Sequence, residues 1–238
     1  MAPDQSNESM WNELVELVNA QFESAAFRRL LSLRFSKERA QFYTIQFAHY
    51  VGNRRDCWGF VQGAAPLDVK RSVWRHEQEE LMGDAGAAKP DHVTLAIREG
   101  AAFGLSEEDF ERVPPTDAAI TCFYAWHQLA RSRPWLEALA SSAVLELRNS
   151  DELVRGGSLS KRIGDKLEAE LRVPRATLVN TTEHEEVDVE HAQLLLEVAR
   201  IHARTPEDRR AILRGARESL LVDRCYRGHL AEEMAALP

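Results

Sequence analysis

The stretch TTEHEEVDVEHAQLLLEV, residues 181–198, carries two imidazoles and a carboxylate, His184, Asp188 and His191, spaced four and three residues apart. On an α-helix that spacing stacks the three on one face, and Leu195 and Val198 continue the same line. Glu183, Glu186 and Glu190 fall mostly off it. Ionisable groups on an apolar stripe are costly to bury without partners. Two readings follow: a solvated acidic helix with half-exposed histidines, or a helix that offers ligands to a metal ion. A helix cannot wrap its own ligands around an ion, so a metal site needs donors from facing helices.

Other segments supply them. In PLDVKRSVWRHEQEELM the apolar line Val69, Val73 runs on to His76 and Glu80 in steps of four, three and four. After the break GDAGAAKPD, His92 stands in the first turn of the next helix. In AVLEL the line Leu139, Ala143 reaches Glu146. Each has a plainer explanation: Glu80 as one solvated acid of HEQEE, Glu146 as a partner of Arg148, His92 as part of a helix start. Together, Glu80, His92, Glu146, His184, Asp188 and His191 make two glutamates, one aspartate and three histidines on four helices. Carboxylates and imidazoles without thiolate suit iron or manganese better than structural zinc. Six protein ligands exceed what one catalytic ion with open positions takes and suit two ions that share a carboxylate. Glu79 competes with Glu80 for the first position; Glu80 is preferred because it falls on the Val69–Val73 line. His76, one turn from Glu80, reads as a supporting partner of that ligand. His49 reads as a satisfied core residue, and His127, His202 and His229 have no chemistry assigned.

The elements that must position these groups are all helical. The 3.6-residue period recurs along the chain, and no segment sustains strand alternation. The pattern predicts helices over about 8–33, from Ser36 to about Gly63, from Pro66 to the GDAGAAKP break, and from Asp91 to Gly104. A short turn follows Ser106. Further helices cover AAITCFYAWHQLA, the segment from Pro134 to the Gly156–Gly157 stop, about 159–171, the motif helix to about Ala203, and the stretch from Pro206 to the C-terminus. Short connections and the lack of a low-complexity linker predict one compact all-α domain over residues 1–238, with 1–7 as a flexible tail.

Composition narrows the function. The 238 residues carry a formal net charge of −8 without a basic stretch, which argues against nucleic-acid binding. No apolar run is long enough to cross a bilayer, and the polar N-terminus lacks the apolar core of a secretion signal. Three cysteines without a CxxC pair read as reduced, which predicts a cytoplasmic protein.

With EEL…DH at 79–92, AVLEL around Glu146 and EHEEVDVEH at 183–191, the chain resembles the haem-oxygenase-like diiron oxidases, a family named for its fold and not for haem binding. The resemblance covers length, helical layout and ligand order. It implies a haem-oxygenase-like bundle whose ligands are Glu80, His92, Glu146, His184, Asp188 and His191, two Fe(II) ions, and dioxygen as co-substrate. It further implies oxidation of a small amino-acid-derived or fatty-acid-derived substrate in a biosynthetic pathway, by N-oxygenation, desaturation or oxidative C–C cleavage. A homodimer is the expected assembly. Two alternatives stand beside it. Thiaminase-II-like and quinone-cofactor-synthase-like proteins share the architecture without redox metals; the former needs a nucleophile, for which Cys122 is the candidate. A non-catalytic helical interaction module would leave the carboxylates salt-bridged.

Overall fold

The computed structural model describes residues 5–84 and 89–238, with the backbone alone for residues 5, 6 and 185–190. Among them are eleven α-helices: α1 (Gln5–Phe22), α2 (Ala25–Ser32), α3 (Lys37–Ala64), α4 (Leu67–Met82), α5 (His92–Gly100), α6 (Glu107–Arg112), α7 (Asp117–Ser132), α8 (Trp135–Leu147), α9 (Leu159–Leu171), α10 (Val179–His202) and α11 (Pro206–Ala236). No strand of regular length occurs among the described residues; one isolated bridge pairs Asp84 with Lys89.

Local chemistry sets most boundaries. Ser36, Asp91, Thr116 and Ser158 each accept a backbone N–H from the first turn of the helix that follows. Thr205 and Asp208 cap each other at the start of α11, with Pro206 at the first helical position. The helix expected over 8–33 is two helices: Ser24 ends the first and caps the second, its hydroxyl accepting from Phe27 N at 3.3 Å. The helix expected to run from Pro134 to Gly156 stops at Leu147. Beyond it, Asn19 of α1 replaces the helical partners, donating to Leu153 O and accepting from Arg155 N at 3.0 and 2.8 Å. The tail expected over residues 1–7 is already helical from Gln5.

α8 is the axis of the bundle. Every residue from Leu136 to Leu147 is buried, Glu137 and Glu146 included, and α11, α10, α7 and α3 pack around it. Gly215 lets α11 approach closely, since a Cβ there would run into the backbone carbonyl of Glu137. One continuous apolar cluster extends from Met10 to Met234. α4 packs on α3, α10 and α5, so its inner face looks into the bundle beside the motif helix α10. The turn after α4 needs Gly83, with φ of 65° and the Lys89 carbonyl pressed against it. That turn, tied to α10 by the Lys89–Glu183 ion pair, delivers the start of α5 to the end of α4.

Candidate metal centre

Four helices send polar side chains into one apolar region. From α4 come His76, Glu77 and Glu80; from α5, His92; from α8, Glu146; from α10, His184 and His191, all buried. Glu80 is central. Its Oε2 lies 3.1 Å from His92 Nδ1 and its Oε1 3.3 Å from His191 Nδ1, so the carboxylate divides its two oxygens between α5 and α10. The His92 ring stands edge-on to His184, centroids 4.7 Å apart. On the other side, one ligand atom each from His76, Glu146 and His191 lie within 4.8 Å of one another. Five of the six residues singled out from sequence are therefore brought together. The sixth, Asp188, has its Cα on α10 between His184 and His191, but its side chain lies outside the described residues.

Two positions differ in role from the expectation. His76, assigned a supporting part, presents a ring nitrogen to the same space as Glu146 and His191, with its ring 4.3 Å from that of His191. The signal was present, since His76 lies on the Val69–Val73 line. Arg55 of α3 is the second: its Nη1 reaches Glu80 at 2.7 Å and Glu77 at 2.9 Å. Nothing in its spacing marked it, because α3 is buried on several sides and carries no single apolar stripe. Glu79 is half exposed, and its Oε2 meets the outer nitrogen of His191 at 3.2 Å. Glu146 does not pair with Arg148, which turns instead to Asp223.

Electrostatics keep the donors in metal-ready states. Burial works against the Glu80 carboxylate, but the Arg55 guanidinium and His92 more than offset it and hold its carboxyl well below the usual range. Burial, reinforced by His191, lowers His76 to about 3; burial and then His92 lower His184 to about 3. Both imidazoles are thus neutral at physiological pH. Their tautomers follow from their partners. His184 Nδ1–H donates to Asn180 O at 2.8 Å, and His76 Nδ1–H to Glu77 Oε1 at 3.0 Å, which leaves a lone pair on each Nε2. This is how metal-binding histidines are oriented. The Nε2 atoms of His76 and His92 are buried without a hydrogen-bond partner among the described residues. Such atoms cost about 1–3 kcal/mol each unless something occupies their lone pairs. A metal ion would, and the donor set of carboxylate and imidazole fits iron.

The sequence profile of a family described as iron-containing redox enzymes matches residues 41–224. That span holds every side chain of the cluster. The chain belongs to this family. No curated protein matches it. Among solved structures, a domain of unknown function with a heme oxygenase-like fold from Shewanella denitrificans OS217 superposes with a TM-score of 0.75 at 15% identity, over 99% of this chain and 94% of the other. A CADD-like protein of unknown function from Nostoc punctiforme PCC 73102 gives 0.74 at 17%, over 97% and 99%. A TenA homolog from Pseudomonas syringae pv. tomato DC3000 gives 0.62 at 16%, over 92% and 91%. These likenesses establish the haem-oxygenase-like fold for this iron-containing redox enzyme family member. Among the described residues no helix is long and apolar enough to cross a membrane.

Two spaces border the cluster. A small one of about 20 Å³, room for about one water molecule, lies between Phe47, Tyr50, Arg55, Glu80, Glu146 and His184. An open groove of about 290 Å³ between α4 and α10 ends on His76 and His191. Ser72, Arg75, Glu79 and Leu194 are among its walls.

Proposed function

We propose that this protein is a cytoplasmic non-haem diiron oxidoreductase that uses dioxygen on a small substrate in a biosynthetic pathway. The observation that carries the reading is the Glu80 carboxylate, whose two oxygens face histidines of different helices with Glu146 and a third imidazole close by. Glu80, His92, Glu146, His184, Asp188 and His191 would hold the metals, with His76 in reach of the same place. Bound ferrous iron supplies the electrons for dioxygen reduction, which side chains do not provide unaided. The chain's own groups do the rest. Asn180 O and Glu77 hold His184 and His76 in the tautomers that expose Nε2. Arg55 bridges Glu77 and Glu80 and so balances buried negative charge. Packed apolar residues surround the cluster except where the groove reaches His76 and His191.

The groove beside His76 and His191 is the substrate's route. Its walls set a guanidinium (Arg75) near carboxylates (Glu79, Glu197), with Leu194 as the apolar element. Paired opposite charges suit an amino-acid-derived substrate, with its carboxylate and ammonium, better than a fatty acid. N-oxygenation, desaturation and oxidative C–C cleavage are the reaction classes open to it. The metal-free thiaminase-like alternative draws no support from Cys122, whose thiol burial pushes up to about 11, with Cys225 and Asp223 adding to the effect.

Anaerobic reconstitution with ferrous iron tests the proposal. Up to two ions per chain are expected to load, fewer in His191→Ala, and iron-loaded protein is expected to consume oxygen when given the right amino-acid derivative. Wild-type protein that stays iron-free, or His191→Ala that loads like wild type, overturns it.

A further inference from the structure

The helix that carries Glu80 has a second face of opposite character. Inward, α4 buries Val69, Val73, His76 and Glu80. Outward, it exposes Leu67, Trp74 and Leu81, at 66, 65 and 52%, and Met82 at 75%. Among the described residues, the other large exposed hydrophobics, Phe60, Tyr124, Ile201 and Leu221, stand one to a helix. Scattered singles are ordinary; four on one helix form a patch that calls for a partner. Leu67, Trp74 and Leu81 recur every seven residues and so run in one line along the helix. Lys70 and Arg71 flank that line, a basic rim on a chain whose net charge is −8.

We propose that this face docks an acidic electron-carrier protein of the iron–sulfur ferredoxin class, which reduces iron held on the opposite side of the same helix. The inference rests on the iron reading above. A helix with its side chains is about 10–12 Å across, so a carrier seated on Trp74 sits one helix width from Glu80 and His76. Each transfer oxidises one reduced cluster by one electron and converts one ferric ion to ferrous, with no bond made or broken. The basic rim complements an acidic carrier and steers its approach. A second copy of this chain fits less well. Antiparallel pairing of α4 about Trp74 would bring Arg71 opposite the uncharged Gln78, and Lys70 opposite Glu77, which Arg55 already engages. Four side chains exposed to this degree offer on the order of 500 Å², below the ~800 Å² per partner of a stable complex and in the range of weak electron-transfer encounters.

The test uses the iron-loaded full chain and a purified acidic [2Fe–2S] ferredoxin. Interferometry is expected to show micromolar binding at low salt that weakens at least tenfold at high salt. Trp74→Ala and Arg71→Glu, both at exposed positions, are expected to weaken binding tenfold or more with iron content and helicity unchanged. Stopped-flow mixing of reduced ferredoxin with ferric-loaded protein is expected to oxidise the ferredoxin more slowly with either variant. Absent binding, equal binding by both variants, or a homodimer that Trp74→Ala dissociates would each overturn the proposal. Iron retained without docking refutes this inference alone; docking with no iron loaded refutes the electron delivery and the diiron reading together.

Discussion

Replacing Glu80 by glutamine probes the centre of the cluster with almost no change of shape. In the metal-free protein the substitution removes the charge that Arg55 meets at 2.7 Å and that faces His92 and His191 at 3.1 and 3.3 Å. Breaking a buried ion pair from one side costs about 3–5 kcal/mol. Two features pull toward the lower figure: Arg55 keeps Glu77 at 2.9 Å, and glutamine retains one acceptor oxygen. A loss of about 3 kcal/mol corresponds to a fall in Tm of roughly 6–12 °C for a chain of this size. Iron binding should suffer more, because even partners one shell removed from a metal change affinity about 10–100-fold. Glu79→Gln is the control. Its side chain is 46% exposed and meets the outer nitrogen of His191, so a loss under about 1 kcal/mol and near-normal loading are expected. Thermal unfolding with and without ferrous iron, followed by metal quantification, reads both effects. Full loading of Glu80→Gln, or greater damage from Glu79→Gln, would refute the geometric reasoning.

Three further outcomes follow from the fold. Thr205→Ala should cost about 1 kcal/mol, since the hydroxyl caps α11 at Asp208 N and donates to the Asp208 carboxylate; chemical denaturation measures it. The side-chain hydrogen bond from Thr205, with the backbone one, holds the Asp208 carboxyl below its ordinary value, so the capping contribution is complete above the usual carboxylate range and fades as pH falls through it. The difference between wild type and Thr205→Ala should accordingly shrink in acid. Gly215→Ala should lose about 1–3 kcal/mol, because the added methyl meets backbone of α8 that cannot rotate away; an unchanged unfolding midpoint would contradict that contact. At mildly alkaline pH, iodoacetamide should modify the exposed Cys225 well before the buried Cys122, as peptide mapping would show, and Cys122→Ser should load iron like wild type.

The residue spacing by itself determined that the described chain is built of helices and, for α4 and α10, which face looks inward. Caps such as Ser36 and Asp91, and the lines Val69–Val73–His76–Glu80, Leu139–Ala143–Glu146 and His184–His191–Leu195, are local and periodic, so they survive without knowledge of neighbours. Where distant partners take part, the pattern misleads: beyond Leu147 the backbone goes into turns, and Asn19, far off in sequence, binds Leu153 O and Arg155 N there. The same limit applies to the site. A periodicity gives the direction of a side chain but not what stands opposite, since the rotation and sliding of one helix against another are set by packing across the whole core. Only the tertiary structure decided that His76 shares its space with Glu146 and His191, and that Arg55 reaches both Glu77 and Glu80. It also decided that the outer face of α4, which carries these ligands on its other side, is left apolar and exposed.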